Sequence, residues 1–180
     1  MKLLSITGFT LLLAGLSALP GIYDFTVPKI DGDLQPLSVY GGKKMLIVTL
    51  PVQQTATADS FLYSLDTLAN AHTSDLQVIA VPSYEDGYTP SQKNQLAQWY
   101  HSKLGTGIVI TEGLYTRKTS GTQQHPLFKW LTDATQNSHF SMDVTGSGFK
   151  FFVKGDGALY GVLESPIKIG SKAVNKVLGL

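Results

Sequence analysis

Two apolar runs constrain this chain most. Lys44–Leu50 (Lys-Met-Leu-Ile-Val-Thr-Leu) and Leu76–Val81 are nearly continuous in apolar residues rather than alternating. Such runs read as strands covered on both faces, the mark of a parallel sheet packed between helices. Between them lies a Pro51–Thr57 loop, after which Phe61, Leu62, Leu65, Leu68 and Ala69 recur at helical spacing. Thr57 or Asp59 is placed to cap that helix. Strand, helix and strand in this order make a right-handed crossover.

The later segments extend the plan. Leu96, Trp99, Tyr100 and Leu104 mark a second amphipathic helix starting near Pro90-Ser91, and Ile108 to Ile110 is a weaker strand. A polar loop rich in Gly and Thr leads to a short helix over His125 to Leu131. Phe149–Val153 and Ala158–Leu163 form a hairpin through Asp156-Gly157, and Ala173, Val174, Val177 and Leu178 stripe a closing helix. Ahead of these, Ile22–Val27 is a short strand candidate and Asp31-Gly32 a hairpin-turn dipeptide. The order implies an α/β domain on the thioredoxin-like plan, a central mixed sheet with helices on both faces.

The N-terminus reads as an export signal. Lys2 supplies a positive start, and Leu3 to Leu19 is apolar apart from Ser5, Thr7, Thr10 and Ser17. That run is short and interrupted for a membrane span, and Gly15, Ser17 and Ala18 offer small residues for cleavage. Pro20-Gly21 then breaks any helix. Residues 1–21 are therefore expected to be a signal peptide, or an N-terminal anchor if uncleaved, and residues 22–180 the folded domain. The protein is expected to be periplasmic or secreted, with membrane contact only if the segment stays attached.

Composition excludes several chemistries. Fourteen basic residues against thirteen acidic give a net charge of +1 with no block of like charge, so no nucleic-acid footprint is present. The chain contains no cysteine. It can form no disulfide, thiolate nucleophile, zinc–thiolate site or iron–sulfur cluster. His72, His101, His125 and His139 show no metal-ligand spacing, and no metal or cofactor is expected. No Gly-x-Ser-x-Gly elbow appears, and Gly146-Ser147-Gly148 reads as a flexible turn rather than a phosphate loop. Trp99, Trp130 and His125 read as packing or structural residues. Glu85 and Asp86, with Asp59, form either an acidic pocket or, as is more usual, part of a solvated loop.

The residues also carry a resemblance. Ile22-Tyr23-Asp24-Phe25-Thr26-Val27, Ile30-Asp31-Gly32, and Leu37-Ser38-Val39-Tyr40 with Gly42-Lys43 resemble the opening of glutathione peroxidases. Leu46-Ile47-Val48 resembles that family's first central strand. His125-Pro126-Leu127-Phe128-Lys129-Trp130-Leu131 resembles its His-Pro-Leu-Tyr-Lys-Trp-Leu helix, and Lys150-Phe151-Phe152-Val153 with Gly157 its late hairpin. The similarity runs from about Ile22 to Leu178.

The resemblance implies four functional positions, and this chain fills each differently. The family's Asn-Val-Ala-Ser-x-Cys-Gly-x-Thr corresponds to Thr49-Leu50-Pro51-Val52-Gln53-Gln54-Thr55-Ala56-Thr57, placing Gln54 at the nucleophile position. Its Phe-Pro-Cys-Asn-Gln-Phe corresponds to Val81-Pro82-Ser83-Tyr84-Glu85-Asp86, so Glu85 stands for the catalytic glutamine. Its Trp-Asn-Phe falls on Gly146, Ser147 and Gly148. Peroxide reduction needs a soft nucleophile that becomes a sulfenic or selenenic acid, which an amide cannot do. A carboxylate at Glu85 beside position 54 would further oppose a thiolate there. The thioethers of Met45 and Met142 form no thiolate. The expectation is a non-catalytic protein that binds an unidentified protein or small-molecule ligand. The alternatives are thiol-dependent peroxide reduction, as the family label implies, and a hydrolytic or metal-dependent activity on Glu85 and Asp86.

Overall fold

The computed structural model describes residues 20–180, so the expected export segment lies outside the described residues except for Pro20 and Gly21. The chain first forms a small antiparallel hairpin of β1 (Thr26–Pro28) and β2 (Leu34–Pro36), turning through Asp31-Gly32. Ile22–Asp24, expected within a strand, is instead a 3-10 turn. The Asp24 carboxylate accepts the Gly21 N–H at 2.8 Å, and the Phe25 N–H donates to the Ile22 carbonyl. These local bonds occupy groups that a longer strand would need.

A five-stranded sheet follows in the order β5-β4-β3-β6-β7. β3 (Lys44–Leu50) and β4 (Leu76–Pro82) are adjacent and parallel, paired from Lys44–Leu76 to Leu50–Pro82. β5 (Ile108–Ile110) continues the parallel side. β6 (Lys150–Val153) and β7 (Leu159–Leu163) add the antiparallel hairpin on the other side of β3. Neighbouring residues of each strand point to opposite faces, and each face has its own core. Leu46, Val48, Leu50, Val78, Ala80 and Phe152 pack with the buried faces of α1 (Ala56–Ala71), α2 (Lys93–His101) and α5 (Lys172–Leu178). Met45, Ile47, Ile79, Val81, Phe151 and Val153 pack with α3 (Pro126–Thr132) and the N-terminal segment; α4 (Ala134–Asn137) follows α3. Helices therefore cover both faces of a mixed sheet, the thioredoxin-like α/β arrangement.

Two helix starts bear on the site. Neither Thr57 nor Asp59 caps α1: Thr55 does, its Oγ1 accepting the Ala58 N–H at 3.1 Å. The loop after β3 is thus shorter than the sequence suggests. Asp59 instead accepts the Trp99 indole N–H at 2.8 Å and pairs with Lys103 at 3.0 Å, fastening α1 to the α2 end. His125 caps α3, its Nδ1 accepting the Leu127 N–H at 3.3 Å, with Pro126 in the first turn where a missing N–H costs nothing. Burial lowers the His125 pKa and favours the neutral ring this bond requires.

Candidate functional site

The carboxyl ends of β3 and β4 leave the sheet at one edge of the molecule, where α1 begins. The 146–148 turn is fastened onto this edge by Thr49, the one polar residue inside the β3 apolar run. Thr49 is fully buried; its Oγ1 donates to the Gly146 carbonyl at 2.8 Å and accepts the Phe149 N–H at 2.9 Å. The Gly148 N–H donates to the Thr49 carbonyl at 2.7 Å, and Ser165 Oγ donates to Gly146 at 3.2 Å. Gly148 adopts φ +83°, a backbone that suits glycine.

An open cavity of about 940 Å³ lies here, between residues 51–53, the first turns of α1, the 146–148 turn and residues 165–169. Val52, Phe61 and Ile167 give it apolar surface, and Thr57, Ser60 and Ser64 give it hydroxyls. Ser60 and Ser64 donate their protons to the α1 carbonyls of Ala56 and Ser60, each at 2.9 Å. None of the hydroxyls lining the cavity hydrogen-bonds an imidazole or amine among the described residues.

The four positions singled out by the sequence do not meet in this cavity. Gly146 and Ser147 line it. Gln54 is exposed and borders a separate recess of about 50 Å³ with Gln92, Gln95 and Trp99. Glu85 lines neither. Its carboxylate accepts the main-chain N–H groups of Thr116 at 3.0 Å and Arg117 at 2.9 Å, the Ser83 hydroxyl at 2.6 Å, and the Ser120 hydroxyl. Burial alone would raise its pKa, but hydrogen bonds from Ser120, Ser83, Arg117 and Thr116 outweigh it and lower the value to about 2.

Glu85 is thus a half-buried carboxylate, ionised at neutral pH, that anchors the 116–120 loop. Asp86 does line the cavity, yet it is ion-paired with the Arg117 guanidinium. Burial raises its pKa, with Glu85 adding to the rise and Arg117 opposing it. Asp59 belongs to the Trp99–Lys103 set while Glu85 and Asp86 both hold Arg117, so the three acids form two separate arrangements rather than one acidic pocket. Among the described residues, no group of three His, Cys, Asp or Glu side chains could hold a metal ion.

Sequence reasoning missed Thr49 and Lys150. Thr49 interrupts an apolar run, a signal that its hydroxyl has an assigned partner. Lys150 stands between Phe149 and Phe151 in a strand buried on both faces and is itself fully buried.

No family model matches the chain. Glutathione peroxidase 1 of Caenorhabditis elegans is 28% identical over 163 residues, covering 88% of this chain and 96% of that protein. The crystal structure of Trgpx in apo form superposes with a TM-score of 0.66 at 21% identity, covering 89% of this chain and 94% of that one. A secreted disulfide oxidoreductase of Mycobacterium tuberculosis superposes with a TM-score of 0.52 at 14% identity, over 88% of this chain and 97% of that one. The resemblance to glutathione peroxidases and the thioredoxin-like fold are both borne out, in a chain without the thiol on which that chemistry depends.

Proposed function

We propose that this chain is an exported glutathione-peroxidase-like protein that binds rather than reduces. Residues 1–21 direct export, and residues 22–180 form a domain that holds a small-molecule or protein ligand in the cavity beside Gly146 and Ser147. The observation that carries this reading is the complete absence of cysteine: no residue can replace the peroxidatic thiol, wherever position 54 falls in an alignment. The cavity supports it further. Positions that the resemblance assigns to Trp and Asn carry Gly and Ser here, and the resulting volume is of the size small-molecule sites use. No metal or cofactor enters the reading, and a net charge of +1 gives nucleic acid no basic face.

Export rests on the apolar Leu3–Leu19 segment and the Pro20-Gly21 break. The secreted oxidoreductase on the same fold gives a precedent for that compartment. Mass spectrometry of the mature protein should find a start between Ser17 and Ile22; intact Met1–Leu19 in a membrane fraction would establish an anchor instead.

The activity test is peroxide consumption with glutathione or thioredoxin as donor. The expected result is no turnover above background. Turnover would restore the second reading, peroxide reduction in oxidative-stress defence, which the names of the relatives favour. Ligand capture is tested by a thermal-shift screen of wild type against Gly146→Trp. Gly146 lines the cavity and a Cβ there meets only Ser165 Oγ, at 3.7 Å, so the variant places an indole on the cavity wall to obstruct it. Ligands of the cavity should shift the wild type and not the variant.

A further inference from the structure

Lys150 is fully buried, yet no ion pair among the described residues includes it. Its ammonium donates to two main-chain carbonyls, Gly148 and, at 3.4 Å, Glu164. These belong to two different segments, the 146–148 turn and the 164–169 loop, and both segments line the cavity. The same two segments are joined once more, by Ser165 Oγ on the Gly146 carbonyl. Lys150 therefore sits beneath the seam between two parts of the cavity wall. A buried ammonium without a counter-charge is costly, and separating the two segments would return it to water.

The charged and titratable groups of the surrounding elements are occupied, exposed or distant from the seam, and Asp86, which lines the same cavity, is ion-paired with Arg117. On β3, Lys44 lies at the far end, bonded to the Leu178 carbonyl. On α1, Asp59 is held by Trp99 and Lys103, and Asp66 by Asn70 and Gly105. On β7, the Tyr160 ring lies 5.8 Å from the Lys154 ammonium. On the loop itself, Glu164 and Lys168 are exposed, and Lys172 and Lys176 of α5 are exposed as well. The 51–55 and 146–148 segments carry no titratable side chain.

We propose that the 146–148 and 164–169 segments form a proton-coupled gate on the cavity, which opens more readily while Lys150 is charged and is held shut once Lys150 is neutral. The sign follows from linkage. Burial lowers the Lys150 pKa to about 8 in the closed wall, while the open, hydrated lysine would titrate near its ordinary 10.5. Between these values the open form binds more protons than the closed one, so raising the pH favours closure. The gate builds on the ligand-binding reading above, because it controls entry to the same cavity, but its test needs no ligand.

The test is hydrogen–deuterium exchange of the full chain, corrected for intrinsic exchange rates, from pH 6.5 to 10. Protection of the amides in residues 146–149 and 164–169 should be level below about pH 7 and rise above about pH 8, by up to about tenfold per pH unit. Amides of β4 and β5 should not share the rise, and Lys150→Met should flatten it. Flat protection in the wild type, or a rise shared by the whole chain, overturns the gate. If Lys150→Met does not fold, NMR titration of the wild-type lysine ammonium groups decides instead. A buried lysine titrating near 8 together with the local rise in protection supports the gate, and a Lys150 titrating at 10 or above overturns it. A protein that binds nothing in the thermal-shift screen but shows the local rise would count against small-molecule binding and leave the gate standing.

Discussion

The Glu85 carboxylate accepts the Arg117 main-chain N–H at 2.9 Å, while its neighbour Asp86 pairs with the same residue's guanidinium. Two adjacent acids thus fasten one loop residue by its backbone and by its side chain. Thr116, one position earlier, donates its N–H to Glu85 as well. A carboxylate at position 85 is therefore part of how the 116–120 loop is built.

Acid should reveal this. The folded Glu85 value, about 2, lies below the ordinary 4.5, so its contribution is complete above about pH 4.5 and is lost as the pH falls toward 2. Glu85→Gln should cost about 1–3 kcal/mol at neutral pH, because the amide brings a donor to a site of donors. Urea midpoints measured from pH 7 to 3 should converge for the two proteins as the wild type loses its advantage. Parallel curves would mean that Glu85 is not the anchor.

Placing a thiol at position 54 should do little. Sequence alone suggests that Gln54→Cys is held back by Glu85 and improved by Glu85→Gln. The structure favours neither expectation, since Glu85 shares no recess with Gln54 and its carboxylate already accepts from four donor groups. We expect Gln54→Cys to react with peroxide at the rate of an ordinary exposed thiol, and the double variant to react no faster while unfolding earlier. Stopped-flow peroxide kinetics with a thermal melt would check both; faster reaction in the double variant would place Glu85 beside position 54 after all.

Thr49 should be sensitive to loss of its hydroxyl. Thr49→Val conserves shape but leaves the buried Phe149 N–H without its acceptor and removes one donor from Gly146. The expected cost is about 1–3 kcal/mol, largely recovered by Thr49→Ser, read from denaturant midpoints. Equal stability of the valine and serine variants would show that the hydroxyl does not hold the turn.

Gly155 tests a close approach at the opposite end of β3. A Cβ there would lie 2.5 Å from the Gly42 carbonyl oxygen, whose own N–H bonds Gly155 at 3.0 Å. Gly155→Ala should destabilise by about 1–3 kcal/mol, as overpacking does. Gly107→Ala meets nothing within 4 Å and should change stability by less than about 0.5 kcal/mol. Thermal melts of the two variants side by side would decide it.

The sequence by itself determined the sheet, because burial on both faces leaves a signature in every residue of a strand. Lys44–Leu50 and Leu76–Val81 hold no alternation, so they had to be central and parallel, and they are. It also determined that no peroxidatic thiol exists, since composition needs no geometry. The tertiary structure decided what the polar residues do, because a hydrogen bond depends on distance and direction between segments far apart in the chain. Glu85 meets Thr116 and Arg117 across more than thirty residues, Thr49 meets Gly146 across 97, and Lys150 meets Glu164 across 14. None of these pairings has a period or a spacing to read. Only folding brings the partners within reach, and it is folding that separates Gln54 and Glu85 from the cavity that Gly146 and Ser147 line.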